Sequence, residues 1–171
     1  MKTLLVIVLS LLVISSSFAA CDSEVNQLVP AVVGDSGGLV PVTVKTIPGI
    51  GNSYVTVYPQ VGIMTQDSIT QAVNYAYRLS NKPRDCDILI SFSSSPSVSL
   101  VDGPSAGVAL ATASYAAIMN KPIRHDTIIT GTIDLSGRVG PVGGLYEKAK
   151  SAAQRGAKYF ITPNENFYET R

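Results

Sequence analysis

From Pro104 to Met119 the chain carries no charged side chain, and small or aliphatic residues fill most of the run. A stretch of this length and pattern reads as a helix that is apolar on every side, and such a helix must be buried on every side. The rest of the chain therefore has to supply layers that enclose it. Asn120–Lys121–Pro122 ends it, because proline has no amide to donate and turns the residue before it away from helical geometry.

The remaining periodicities supply candidate layers. Val42 and Val44 alternate with Thr43 and Lys45, which predicts a strand stopping at Pro48–Gly49. Tyr54 to Tyr58 predicts a second strand, and the turn chemistry from Ile47 to Asn52 would let the two pair as a hairpin. Asp67–Ser68 offers an N-cap for a helix with Ile69, Val73, Ala76 and Leu79 at helical spacing. Asp87 to Ser93 reads as a short buried strand, after which a serine-rich loop delivers the chain to Asp102. Thr127 to Thr132 predicts a strand and Gly137 to Gly144 a glycine-rich turn region. Leu145 to Arg155 predicts a helix closed by Gly156, and Tyr159 to Thr162 a last strand. Strands alternating with helices, without internal repeats, predict an α/β (α+β) domain.

Composition narrows the partners. At 171 residues there is room for one domain and a targeting segment, and 46% hydrophobic residues exclude a disordered chain. With a formal net charge of +1 and no Lys/Arg stripe, nucleic acid is not an expected partner. The single histidine, His125, and the two cysteines, Cys21 and Cys86, lack the spacing of a zinc site, so no metal and no cofactor are expected. Lys2, the apolar run Leu4 to Ile14 and the small residues up to Ala20 read as an export signal over residues 1–20. The alternative is an uncleaved membrane anchor, although the apolar run is shorter than the roughly 20 residues of a bilayer span. Either way the protein is expected to be extracytoplasmic, secreted or membrane-anchored. Phe18-Ala19-Ala20-Cys21 also resembles a lipoprotein cleavage box. If Cys21 carries no lipid, export favours a Cys21–Cys86 disulfide, with two unpaired thiols as the other reading. Residues 21–38 read as a linker and 39–171 as the folded domain.

Two serines stand in suggestive surroundings. Gly34-Asp35-Ser36-Gly37-Gly38 copies the nucleophile loop of chymotrypsin-like proteases, but no histidine precedes it to complete their triad. It is read as linker composition. Ser105 lies between Asp102-Gly103-Pro104 and Ala106-Gly107 at the predicted start of the buried helix. There unpaired amides and the positive end of the helix dipole would face a developing oxyanion. Gly103 and Gly107 would let a substrate backbone approach closely. The competing reading makes Ser105 a helix cap, assisted by Asp102. A serine nucleophile needs a base. His125 falls in a polar connection, which leaves lysine. Lys148 sits at the edge of the apolar stripe Leu145, Ala149, Ala152, Ala153. Burial there would lower its pKa from about 10.4 toward about 7–8, a range useful to a base. The competing reading is a surface lysine with only its stem covered.

Together these motifs resemble the proteolytic domain of Lon peptidases. Asp102-Gly103-Pro104-Ser105-Ala106-Gly107 is similar to the family's nucleophile motif, and Thr130 to Lys148 is similar to its second signature. The resemblance implies Ser105 as nucleophile, Lys148 as catalytic base, Thr130 as the residue that orients the lysine, and Asp102 as the acidic head of the serine loop. It covers about Leu39 to Asn166 and implies small mixed sheets packed with helices. The sequence departs from the family at Thr132, often glutamate there, at Tyr146, usually lysine, and at Ser91 and Ser93, histidines in bacterial members. Lon domains continue beyond the Tyr159-like strand, so a C-terminally short domain or a fragment is expected.

The implied activity is serine endopeptidase chemistry by a Ser–Lys dyad, on peptides or unfolded proteins, in a homo-oligomeric ring of six. The sequence holds no Gly-x-x-x-x-Gly-Lys-Ser/Thr pattern, so hydrolysis is expected to be ATP-independent unless a separate partner supplies a motor. The alternative is a catalytically inactive Lon-like module that serves binding or assembly.

Overall fold

The computed structural model describes residues 21–93 and 99–167. Residues 1–20, for which a signal or anchor is expected, lie outside the described residues. The main sheet has the order β1-β2-β5-β3. Its members are β1 (Glu24–Val33), β2 (Ser36–Pro48), β3 (Ser53–Val55) and β5 (Cys86–Phe92). β1 and β5 run antiparallel to β2, and β3 runs parallel to β5. Among the described residues three helices accompany it: α1 (Ile63–Ser80), α2 (Gly107–Ile118) and α3 (Leu145–Gln154). Three two-stranded sheets complete the α/β fold. They pair β4 (Gln60–Val61) with β6 (Leu100–Val101), β7 (Thr127–Ile129) with β10 (Tyr159–Ile161), and β8 (Thr132–Ile133) with β9 (Val139–Gly140).

The enclosed helix is α2. Ala109, Leu110, Ala113 and Ala117 are each at most 1% exposed. They share one core with Ile69, Ala72, Val73 and Ala76 of α1 and with Val42, Val44, Ile88 and Ile90 of the sheet. Val44 stands opposite Ile90, and both are fully buried, so the alternation that predicted β2 also selects its core face. Alanines along α2 keep its surface shallow, which lets α1 and the sheet approach from two sides.

Three expectations are corrected. The stretch read as a linker over residues 21–38 is the hairpin β1–β2, with Val25 and Val29 buried and Glu24 and Asn26 exposed. Gln27 on the inward face and Pro30, buried on the opposite face, mask that alternation. The hairpin turns through Gly34 and Asp35, with Gly34 at φ 59°. The runs around Val42 and Tyr54 do not pair with each other, because β5 lies between them. Finally, α1 begins at Ile63, a full turn before Asp67–Ser68, since its cap comes from a different part of the chain.

Cys21 and Cys86 form a disulfide, which decides between the readings left open for them. The bond fastens the chain before β1 to the first residue of β5, and Ser23 adds reciprocal hydrogen bonds to Thr46 of β2. Nearby, the Asp87 carboxylate accepts from the amides of Ile50 and Asn52 at 2.9 and 2.8 Å and fixes the Gly49–Asn52 turn. A Cβ on Gly49 would lie 2.1 Å from the Asp87 carboxyl carbon, so only glycine fits there.

Two stability tests follow. A disulfide spanning 65 residues of chain is worth about 4 kcal/mol in the loop-entropy account. Reduction is expected to lower the urea midpoint markedly, and Cys21→Ser with Cys86→Ser should reproduce the shift. The amides of Ile50 and Asn52 hold the Asp87 carboxyl below its ordinary pKa. Its contribution is therefore complete above the unfolded value of about 4 and disappears as pH falls through the lower folded value. Asp87→Asn should flatten the acid limb of a stability–pH profile while leaving the alkaline limb unchanged.

Candidate active site

The loop that carries Ser105 is held by α1 over the residues that lead up to the serine. Parallel pairing of β4 with β6 brings Asp102 beside the start of that helix. The helix has no capping side chain of its own, its N-cap residue being Gly62. Asp102 supplies the cap instead: its carboxylate accepts from the amide of Thr65, the third helical residue, at 3.2 Å and from Gly103 at 3.0 Å. A carboxylate here also lies at the positive end of the helix dipole. A Cβ on Gly62 would sit 2.2 Å from the Asp102 carboxyl carbon, which explains the glycine. One turn on, Thr65 donates to the Gly103 carbonyl at 3.0 Å and Ser68 to the Pro104 carbonyl at 3.2 Å. Asp102 thus caps α1 rather than the helix that follows Ser105.

Ser105 lies half-buried in a single 3₁₀ turn, Pro104–Ala106, that leads into α2. The N-cap residue of α2 is Ala106, and neither the turn nor the helix has a side-chain cap. The reading of Ser105 as a helix cap therefore finds no support. Its carbonyl is gripped twice, by the Gly131 amide at 3.0 Å and by the Thr130 hydroxyl at 3.2 Å, and Gly131 returns its own carbonyl to the Val108 amide at 3.0 Å. The Thr130 hydroxyl, which the resemblance assigns to orienting the lysine, donates here to the serine's main chain.

The two glycines flanking the loop differ. Gly103, at φ 131°, has open space where a side chain would stand. A Cβ on Gly107 would lie 2.9 Å from both Ile133 and Ser68, so Gly107 serves packing between α2, β8 and α1 rather than substrate approach. The expectation of free amides at the start of α2 is also corrected. The Gly107 amide is bonded to the Pro104 carbonyl and the Val108 amide to Gly131.

Lys148 occupies the first turn of α3, where its amide donates to the Gly144 carbonyl at 3.1 Å. It is 4% exposed, which rules out the surface-lysine reading. Two close approaches seat this helix on the β1–β2 hairpin. A Cβ on Gly37 would lie 2.1 Å from the Glu147 carbonyl oxygen, and one on Gly144, at φ 64°, would lie 2.6 Å from Val32. The protease-like Gly34–Gly38 motif is thus the hairpin turn and the helix seat, with Ser36 exposed at its edge.

Sequence reasoning missed Asn166. Its buried amide accepts from Val142 N–H at 3.0 Å and donates to Val142 C=O at 2.8 Å, two residues before the N-cap of α3. Its only signal was a polar residue after a turn, indistinguishable from a solvated loop. His125 is exposed on the connection between α2 and β7. The one cluster of possible metal ligands among the described residues is Cys21, Asp85 and Cys86, and its two sulfurs are bonded to each other.

Residues 25–170 match the Lon protease (S16) C-terminal proteolytic domain. The chain belongs to that family. It is 41% identical over 103 residues to Lon protease 2 of Bacillus subtilis, covering 60% of this chain and 18% of that protein. It is 36% identical over 136 residues to the Lon protease of Mycoplasma mycoides, covering 76% of this chain and 17% of that protein. Against the Lon protease of Erwinia amylovora it is 32% identical over 161 residues, covering 87% of this chain and 20% of that protein. The chain thus spans a fifth or less of these relatives' length. The match begins inside β1, in agreement with a hairpin that is part of the domain.

Gly37→Ala tests the helix seat. Forcing the Glu147 backbone aside should cost about 1–3 kcal/mol, as overpacking does elsewhere, read as a lower urea midpoint. Gly38→Ala, where nothing lies within 4 Å, should change it little.

Proposed function

We propose that this protein is a serine endopeptidase in which Lys148 is the base for Ser105. The observation that carries this reading is the burial of Lys148: an amine removed from water at the start of a helix, in a Lon-family domain whose serine loop is fixed from two sides. A poorly hydrated ammonium gives up its proton more readily. The neutral amine takes the proton of the Ser105 hydroxyl as Oγ attacks the peptide carbonyl carbon. The tetrahedral intermediate collapses with cleavage of the C–N bond, and Lys148 returns the proton to the departing amine. Water then attacks the acyl-enzyme, losing its proton to Lys148, and Ser105 is regenerated. With the Gly103, Gly107 and Val108 amides already bonded, we assign the oxyanion to the Ser105 amide. One such donor is worth about 3–4 kcal/mol in other hydrolases.

The substrates we propose are peptides and unfolded proteins, cleaved without ATP. A homo-oligomeric ring is the proposed assembly. We place the protein outside the cytoplasm, secreted or held by residues 1–20. The Cys21–Cys86 disulfide supports that placement, because such bonds persist in oxidising compartments. It also favours the disulfide over a lipid on Cys21, since one sulfur cannot carry both.

Turnover of an unfolded protein such as casein tests the assignment. Ser105→Ala and Lys148→Met should each abolish it, and Ser36→Ala should leave it unchanged. An inactive Ser36→Ala variant, or full activity in Lys148→Met, would overturn the dyad. A folded wild type that neither cleaves peptides nor reacts with a fluorophosphonate would instead be a non-catalytic binding module.

A further inference from the structure

We infer that Asn166 is a positioning residue for Lys148, and that the segment from Ile161 to Asn166 sets the lysine helix against the serine loop. The inference rests on the proposed Ser105–Lys148 chemistry and deepens it.

The segment reaches both halves of the site within six residues. At its start, the Ile161 carbonyl accepts the Thr130 amide at 3.0 Å, and Thr130 in turn holds the Ser105 carbonyl. At its end, Asn166 pairs both polar atoms of its amide with the backbone of Val142. Asn166 is 6% exposed and Val142 is 7% exposed, so this pairing is sheltered from competing water. It copies the two-bond exchange of neighbouring strands with a single side chain.

Val142 is a telling place for such a clamp. It stands between β9, which pairs with β8 next to Thr130 and Gly131, and Gly144, whose carbonyl accepts the Lys148 amide. Residues 141–144 therefore decide where α3 begins, and through it where the Lys148 side chain starts. Asn166 fixes their middle. Gly144 fixes their end against Val32. A proton transfer between serine and lysine tolerates little misplacement, and a shift of about 1 Å in reacting geometry can cost about 100-fold in rate.

The experiment uses the full chain with Asn166→Asp and Asn166→Ala. Asn166→Asp keeps the acceptor for the Val142 amide and loses the donor, while Asn166→Ala loses both. Sites are counted by exhaustive fluorophosphonate labelling, and kcat and KM for a peptide are then expressed per labelled site. We expect both variants to label to completion but slowly. We expect kcat per site to fall by about 10- to 100-fold with KM changed less than about threefold, the alanine variant being the slower. Unchanged kcat per labelled site would overturn the inference, even with a lower melting temperature, because Asn166 would then only hold the fold together. Failure of both variants to fold would overturn it in the same sense. Should wild type itself fail to label at Ser105 while folded, the peptidase reading falls, and this inference with it. Wild type that labels, with variants that match it, removes the inference alone.

Discussion

The carbonyl of Ser105 joins the serine loop to the stretch of chain that leads toward the lysine helix. It accepts from the Gly131 amide and the Thr130 hydroxyl, while Gly131 accepts from Val108 one turn beyond the serine. Each such bond contributes only about 1 kcal/mol net, but leaving a buried partner unsatisfied costs about 1–3 kcal/mol. The exchange therefore specifies one arrangement strongly even though it adds modest stability. On one side it fixes the serine turn, already tied to α1 through Asp102, Thr65 and Ser68. On the other it fixes the start of the β8–β9 hairpin, which leads by way of Val142 to the helix of Lys148.

This arrangement explains residues whose types would otherwise look arbitrary. Gly62 admits the Asp102 carboxylate to a helix end that has no cap of its own. Gly107 lets α2, β8 and α1 meet, and Gly37 lets α3 lie on the hairpin. Each of these contacts needs an absent side chain: Gly37 meets the Glu147 carbonyl, Gly62 the Asp102 carboxylate, and Gly107 both the Ile133 backbone and neighbouring side chains.

How much of this was legible in the sequence differed by element. The buried helix was plain, because sixteen consecutive residues without charge leave few other folds. Strand β5 and helix α3 were plain for similar reasons of periodicity. Periodicity showed Lys148 as a lysine at the edge of an apolar stripe and the family resemblance marked it as the base, but its burial comes from packing that no local pattern encodes. The β1–β2 hairpin was hidden, since Gln27 and Pro30 break the alternation of β1 and the Gly-Asp-Ser-Gly-Gly motif looks like loop composition. The cap of α1 and the Asn166 clamp were hidden for a deeper reason. Asp102 serves Thr65, 37 residues away, and Asn166 serves Val142, 24 residues away, and no local pattern encodes such long-range pairs. Asp102 and Thr130 were singled out by family resemblance. Their hydrogen bonds show work that the resemblance did not describe, on α1 and on the serine's own backbone.

The measurement that bears most directly on the account is a crystal structure of the protein, with the separation of Lys148 Nζ from Ser105 Oγ read from it. A buried lysine that serves as the base is predicted to place its amine within about 3 Å of the hydroxyl, or one bridging water away. An amine directed into another part of the core, with no water or small loop movement linking it to Ser105, would contradict it.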